Sequence, residues 1–167
     1  LDKVLKLGAA GDLIADQGES LSLGARDGVL EEYKISSSQV FGLRVVKDNK
    51  VGTAYSEASD VDALETMLEQ AMGNATFATE DAHEKIVDTN VQLETDDALL
   101  SPRDNASVDE KIDAILALEG DLLKRDKIKN VPYNGINSGF GSRQVFSTTG
   151  LVARSSAKTN MCYAHAL

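Results

Sequence analysis

The residues whose types and spacing could do chemistry fall into a few small groups. His83-Glu84 begins like a zincin motif, in which two histidines one helical turn apart bind zinc and the glutamate serves as base. Four residues after His83 stands Val87 and five after stands Asp88, so that face has no second histidine, and His83 is read as a solvated loop residue. Cys162 and His165 could form a thiolate–imidazole pair or half of a zinc site. Residues three apart on a strand point to opposite faces, which separates them. Gly135-x-x-x-Gly139-x-Gly141 is faintly like a phosphate loop, but the strand pattern Ser142 to Phe146 follows where a phosphate cradle needs a helix N-terminus. A flexible hairpin or loop is expected there, with no nucleotide. Glu94, Asp96 and Asp97 form an acidic run, which reads as a solvated face; a calcium loop needs a glycine and a distal glutamate in register. No Gly-x-Ser-x-Gly elbow is present. Arg44 is the one charge within an apolar strand pattern, a partner or substrate anchor or simply an outward residue; alternation sets it opposite Phe41, Leu43 and Val45 and favours exposure. These readings assign no catalytic, cofactor-binding or metal residue.

The elements that would position such groups are legible in outline. Leu1 to Leu7 reads as a helix end stopped by Gly8 and Gly11, and strand character begins at Asp12. Ser20 to Leu23 alternates, and Asp27-Gly28 is a hairpin turn into a strand from Val29 to Ser36. A further hairpin runs from Phe41 to Ser56 around a turn at Asp48-Asn49-Lys50, so four consecutive antiparallel strands are expected. Both of its runs contain a glycine, Gly42 and Gly52, which implies a bend, a bulge or a backbone passing close by.

The period then becomes helical. Ser59 with Asp62 is an acidic capping-box variant ahead of Val61, Leu64, Leu68, Ala71 and Ala75, with Met67 and Met72 beside the stripe. Asp81 to Asp104 reads as mostly loop. Ser107 with Glu110 is a capping box before Val108, Ile112, Ile115, Leu118 and Leu122. Three strands follow, near Val131–Tyr133, Ser142–Thr148 and Leu151–Cys162. The order implies an α+β domain: a twisted, largely antiparallel sheet with helices packed on one face.

Composition bounds the function. A chain of 167 residues is one domain's worth, and its 42% apolar content can supply a core. A net charge of -10 disfavours a nucleic-acid surface, which needs a basic face. Carboxylates dominate from Glu57 to Asp121, whereas beyond Asp121 the seven Lys and Arg residues face only Asp126. The single cysteine, Cys162, excludes an internal disulfide framework and fits a reducing, cytoplasmic setting. No run reaches the ~18 apolar residues of a membrane helix, and no signal segment is seen, so no membrane partner is expected. The sequons at Asn74 and Asn105 are then chance matches. Starting at Leu1 and ending on Ala164-His165-Ala166-Leu167, the chain reads as trimmed at both ends.

Several of these segments, in their order and spacing, carry a family resemblance. They are Ala10-Gly11-Asp12, the hairpin at Arg26-Asp27-Gly28, Gly42-Leu43-Arg44-Val45, Lys50 to Ser56, the helix with Glu69-Gln70-Ala71, and the strands from Asn137-Ser138-Gly139 to Cys162. Together the chain resembles the N-terminal domain of the TldD/PmbA family of metalloproteases, labelled modulators of DNA gyrase, and is nearer the PmbA side. The resemblance implies a parent that matures or degrades unfolded peptides and works as a homo- or heterodimer of TldD/PmbA-type subunits. It implies zinc held by H-E-x-x-x-H and a later cysteine. Here Asp88 stands at the second histidine's place, and family members are more than twice this length. Residues 1–167 are therefore expected to be the N-terminal domain without the metal-site portion. Zinc then belongs to the full-length parent or its partner. The expected role is scaffold, pairing and peptide binding, with a non-catalytic adaptor as the alternative. The charge gives the gyrase label no support.

Overall fold

The computed structural model describes residues 1–88 and 96–167. Its elements in chain order are α1 (Asp2–Lys6), β1 (Ala10–Arg26), β2 (Val29–Lys47), β3 (Lys50–Ser56), α2 (Val61–Phe77), α3 (Asp97–Leu100), α4 (Val108–Leu123), β4 (Tyr133–Ser147) and β5 (Val152–His165). The strands form one five-stranded antiparallel sheet in the order β3-β2-β1-β4-β5, and the fold class is α+β.

The strands are fewer and longer than the sequence pattern suggests. The polar Ser36-Ser37-Ser38 was expected to end a strand, yet β2 runs through it, so three strands precede α2 instead of four. Likewise the stretches near Val131–Tyr133 and Ser142–Thr148 merge into β4, leaving two late strands instead of three. Ladder hydrogen bonds come from the backbone, so a polar run can stay in a strand when a neighbour supplies partners.

Two compact units divide the chain. The first comprises Leu1–Gln17, Ser38–Leu100 and Ser142–Ser155. In it, both central residues of the β2–β3 turn have positive φ (Asp48 51°, Asn49 58°), the geometry of a two-residue hairpin. Lys50 thus pairs with Lys47 and belongs to the strand, not the turn. Val45 pairs with Gly52 and Leu43 with Ala54, and onto this face α2 lays Met67, Ala71 and Ala75. The stripe of α2 is therefore centred on Met67, with Leu64, Leu68 and Met72 flanking it; Val61 points to solvent. A Cβ on Gly52 would lie 1.9 Å from the Ala71 carbonyl oxygen, so helix backbone does pass close by. Gly42 meets nothing within 4 Å and serves no such purpose. The α2 cap is Asp60, not Ser59: its side chain accepts from the Ala63 amide at 3.0 Å.

The second unit comprises Gly18–Ser37, Ser101–Gly141 and Ser156–Leu167. Its core joins Leu21, Leu23 and Ala25 of β1 and Ile136 of β4 to Ile115 of α4, with Ile112, Leu116 and Leu118 around it. The Ser107–Glu110 capping box forms in full, both reciprocal bonds present. Buried Glu119 turns its carboxylate to the β1–β2 turn and accepts from the Asp27 and Gly28 amides, each at 3.0 Å. Both turn residues have positive φ, so their amides converge into an anion-binding nest that Glu119 fills. Asn134, also buried, donates to the Ala25 carbonyl and accepts from its amide, each at 2.8 Å. That side chain replaces a rung of backbone ladder.

Candidate functional site

The sequence candidates do not converge. His83 is exposed, and its backbone amide donates to Asp81 Oδ1 at 2.8 Å. Cys162 is exposed, and the His165 ring instead stacks edgewise on Tyr133 and Tyr163, at centroid distances of 6.3 and 6.1 Å. Glu94 lies outside the described residues. Among the described residues, no three His, Cys, Asp or Glu side chains come together to hold a metal. The family's zinc therefore finds no fitting donor set among them.

Two expectations are corrected. Gly135, Gly139 and Gly141 are not in a flexible loop but inside β4. Gly135 and Gly139 make room for β5 side chains: a Cβ would meet the Tyr163 ring at 2.8 Å and Thr159 Oγ1 at 3.0 Å. Arg44 is neither a free anchor nor merely solvated. It donates from Nε and a terminal nitrogen to the two carboxylate oxygens of Asp12, at 3.1 and 2.5 Å. Those bonds raise the guanidinium above its ordinary value. Arg143 makes the same two-pronged contact with Asp16, both bonds 2.7 Å, and holds the Asp16 carboxyl below the usual range.

The polar group that tertiary structure does assemble lies in the second unit. The capping box starts α4 where its first turn carries Lys111 over the sheet. Lys111 Nζ donates to Asp104, from the loop ahead of the helix, and to Ser138 Oγ of β4 at 2.9 Å. Lys158 of β5 places its Nζ 3.7 Å from Asp104 Oδ2. With its amide nitrogen facing inward, Asn160 donates to Ser138 Oγ at 2.7 Å and to Asp104 Oδ2 at 3.2 Å. The Lys111 and Asp104 side chains are only 12% and 9% exposed, so water screens their attraction little. The hydrogen bond from Lys111, helped by the Ala106 amide, holds the Asp104 carboxyl below its ordinary range.

Asp104, Lys111, Ser138 and Lys158 wall a cleft of about 270 Å³, whose other lining includes Leu21, Ile35, Val108 and Phe140. Ser138 beside Lys111 is not a nucleophile–base pair. An ammonium donating to a carboxylate has no lone pair with which to take the serine proton. What the arrangement supplies is a set of hydrogen-bond donors facing one carboxylate. Sequence reasoning passed over it because its members lie far apart in the chain and each alone reads as surface polarity.

Comparison with known proteins agrees with the fold. Residues 11–75 match the family model for PmbA/TldA metallopeptidase domain 1. No curated protein matches the chain. Among solved structures, a protein proposed as a modulator of a DNA gyrase from Thermotoga maritima superposes with a TM-score of 0.84 at 20% identity, over 99% of this chain and 37% of that one. TldE from Thermococcus kodakarensis gives 0.80 at 14% identity, over 99% and 38%. A protein proposed as a modulator of DNA gyrase from Bacteroides thetaiotaomicron gives 0.73 at 15%, over 90% and 35%. At such identities the likeness is one of fold, and the chain spans somewhat over a third of the length of each neighbour. The matched segment, residues 11–75, holds Asp12 and Arg44, which pair, and Gly52, which admits α2; over that segment the chain is similar to PmbA/TldA metallopeptidase domain 1.

Proposed function

We propose that residues 1–167 are the N-terminal scaffold and pairing domain of a PmbA-type metallopeptidase that matures or degrades peptides in the cytoplasm. The domain joins a second TldD/PmbA-type subunit through the open edge of its sheet. The observation that carries this reading is β5. It is the last strand of the sheet for 14 residues, and among the described residues no strand lies beyond it. An edge of that kind offers a row of backbone donors and acceptors to another chain. At ~3.4 Å per residue it is about 45 Å long, ample for a strand from a partner or for an extended peptide. It carries Arg154 and Lys158 and no carboxylate, so a subunit as acidic as this chain, at -10, is drawn to it.

Zinc and peptide cleavage belong, on this reading, to the parent or its partner. A second form of the reading makes the parent a non-catalytic adaptor for a TldD-type peptidase.

Mixing the chain with a TldD-type subunit tests the pairing, with sedimentation reporting the complex and amide hydrogen exchange locating it. A complex with slowed exchange along Val152–His165 is the expected result. No association at high micromolar concentration, or protection confined to other strands, sinks the edge-pairing reading. Zinc content and peptidase activity of the full-length parent by itself separate the two forms: stoichiometric zinc with activity supports a catalytic parent, and neither supports the adaptor.

A further inference from the structure

The cleft of the second unit has the composition of a small-molecule binding site. It crosses the sheet from Ile35 on β2, past Leu21 on β1 and Ser138 on β4, to Lys158 on β5. Three strand spacings of ~4.8 Å make that path about 14 Å long. One end is apolar, formed by Ile35, Leu21 and Val108; the other is formed by Ser138 and two lysines.

Charge in the polar end does not balance. Lys111 and Lys158 share a single carboxylate, Asp104, to which Lys111 is hydrogen-bonded while Lys158 stands 3.7 Å away. An ammonium has three donors, and that of Lys158, 27% exposed, meets no other carboxylate among the described ion pairs. Glu19 also lines the cleft but is exposed, where solvent screens it. A partly buried cation with unused donors favours an anion beside it. The volume of about 270 Å³ lies just under the ~300 Å³ at which pockets for drug-sized ligands begin, so the occupant is small.

We propose that this cleft is a subsite for the carboxylate of a small apolar acid, with Lys158 and Ser138 donating to the carboxylate and Ile35, Leu21 and Val108 covering the apolar chain. The C-terminal residue of a peptide and a free branched-chain acid share that chemistry. The site goes beyond the pairing reading and does not rest on it, because it is complete within one chain.

The test is a backbone amide NMR titration of the whole chain, without any second subunit. The probes are the tripeptide Ala-Ala-Leu, its C-terminal amide, and 4-methylpentanoate. The expected result is saturable shifts around Ser138, Phe140 and Lys158 with the free-acid tripeptide and none with the amide. Shifts with 4-methylpentanoate as well, or alone, keep the carboxylate site and name a free acid as its source. Lys158→Met weakens binding by at least about tenfold, the loss of one charge-assisted hydrogen bond. Equal binding of acid and amide, or no saturable shift with any probe at 10 mM scale, overturns the proposal on the unaltered chain, whatever the variant does.

Discussion

Two glycines in one hairpin, ten residues apart, should respond oppositely to the same substitution. In Gly52→Ala the new methyl carbon falls 1.9 Å from the Ala71 carbonyl oxygen and 2.5 Å from the Ala75 nitrogen. Ordinary contact begins at 3.4 Å, so about 1.5 Å must be made up, and both obstacles are helix backbone that no rotamer change can clear. Either α2 lifts or the strand bends. A gap of even ~1 Å forfeits up to half of a dispersion well, and the contacts at stake include Val45, Met67, Ala71 and Ala75, all buried. Overpacking of this kind costs about 3 kcal/mol, the upper part of its usual range. With a urea m-value near ~2 kcal/mol/M, the unfolding midpoint falls by about 1.5 M. In Gly42→Ala the added methyl meets nothing within 4 Å. Its effect is confined to about ±0.5 kcal/mol, with a small gain from lost unfolded-state freedom. Urea unfolding followed by circular dichroism measures both. Equal costs at the two positions, or less than about 1 kcal/mol at Gly52, would refute the claim that helix backbone dictates that glycine.

The remaining predictions concern the second unit. Glu119→Ala removes the shared acceptor of two amides in the β1–β2 turn, Asp27 and Gly28, and costs about 2 kcal/mol. Glu119→Gln keeps one acceptor oxygen and costs about half as much; identical unfolding midpoints for the two variants would remove the turn-filling role. The Asp104 carboxyl is held below its ordinary value of 3.8 by Lys111. A depressed folded value means that its stabilisation is complete above the unfolded value and is lost as pH falls through the folded one. Asp16 shifts in the same direction, so Asp104→Asn isolates the effect. Between pH 6 and 2 the unaltered chain should lose more stability than Asp104→Asn, and parallel curves would contradict the Lys111–Asp104 linkage.

What was legible in the chain was local. Asp27-Gly28 announces its hairpin, and Asp48-Asn49-Lys50 the next one with a residue too many in the turn, because few residues accept two successive positive φ angles. Ser107 and Glu110 announce the start of α4 because their reciprocal bonds span three residues. The α+β class follows from the order of these elements, and the glycine-bearing hairpin carried the family resemblance. Where the outline failed, the deciding partner was distant in sequence. Ser36-Ser37-Ser38 stays in β2 because strand continuity is set by the neighbouring backbone, not by side-chain polarity. Arg44 is held by Asp12, 32 residues before it, and Gly135 and Gly139 are spaces for Tyr163 and Thr159 of β5. Asp104, Lys111, Ser138 and Lys158 become a site only when the loop, helix and two strands stack. Sequence by itself determined turns, caps, period and charge, which act over a few residues or over the whole composition. Tertiary structure alone decided which polar groups leave water together, because desolvation and pairing depend on distance in space and not along the chain.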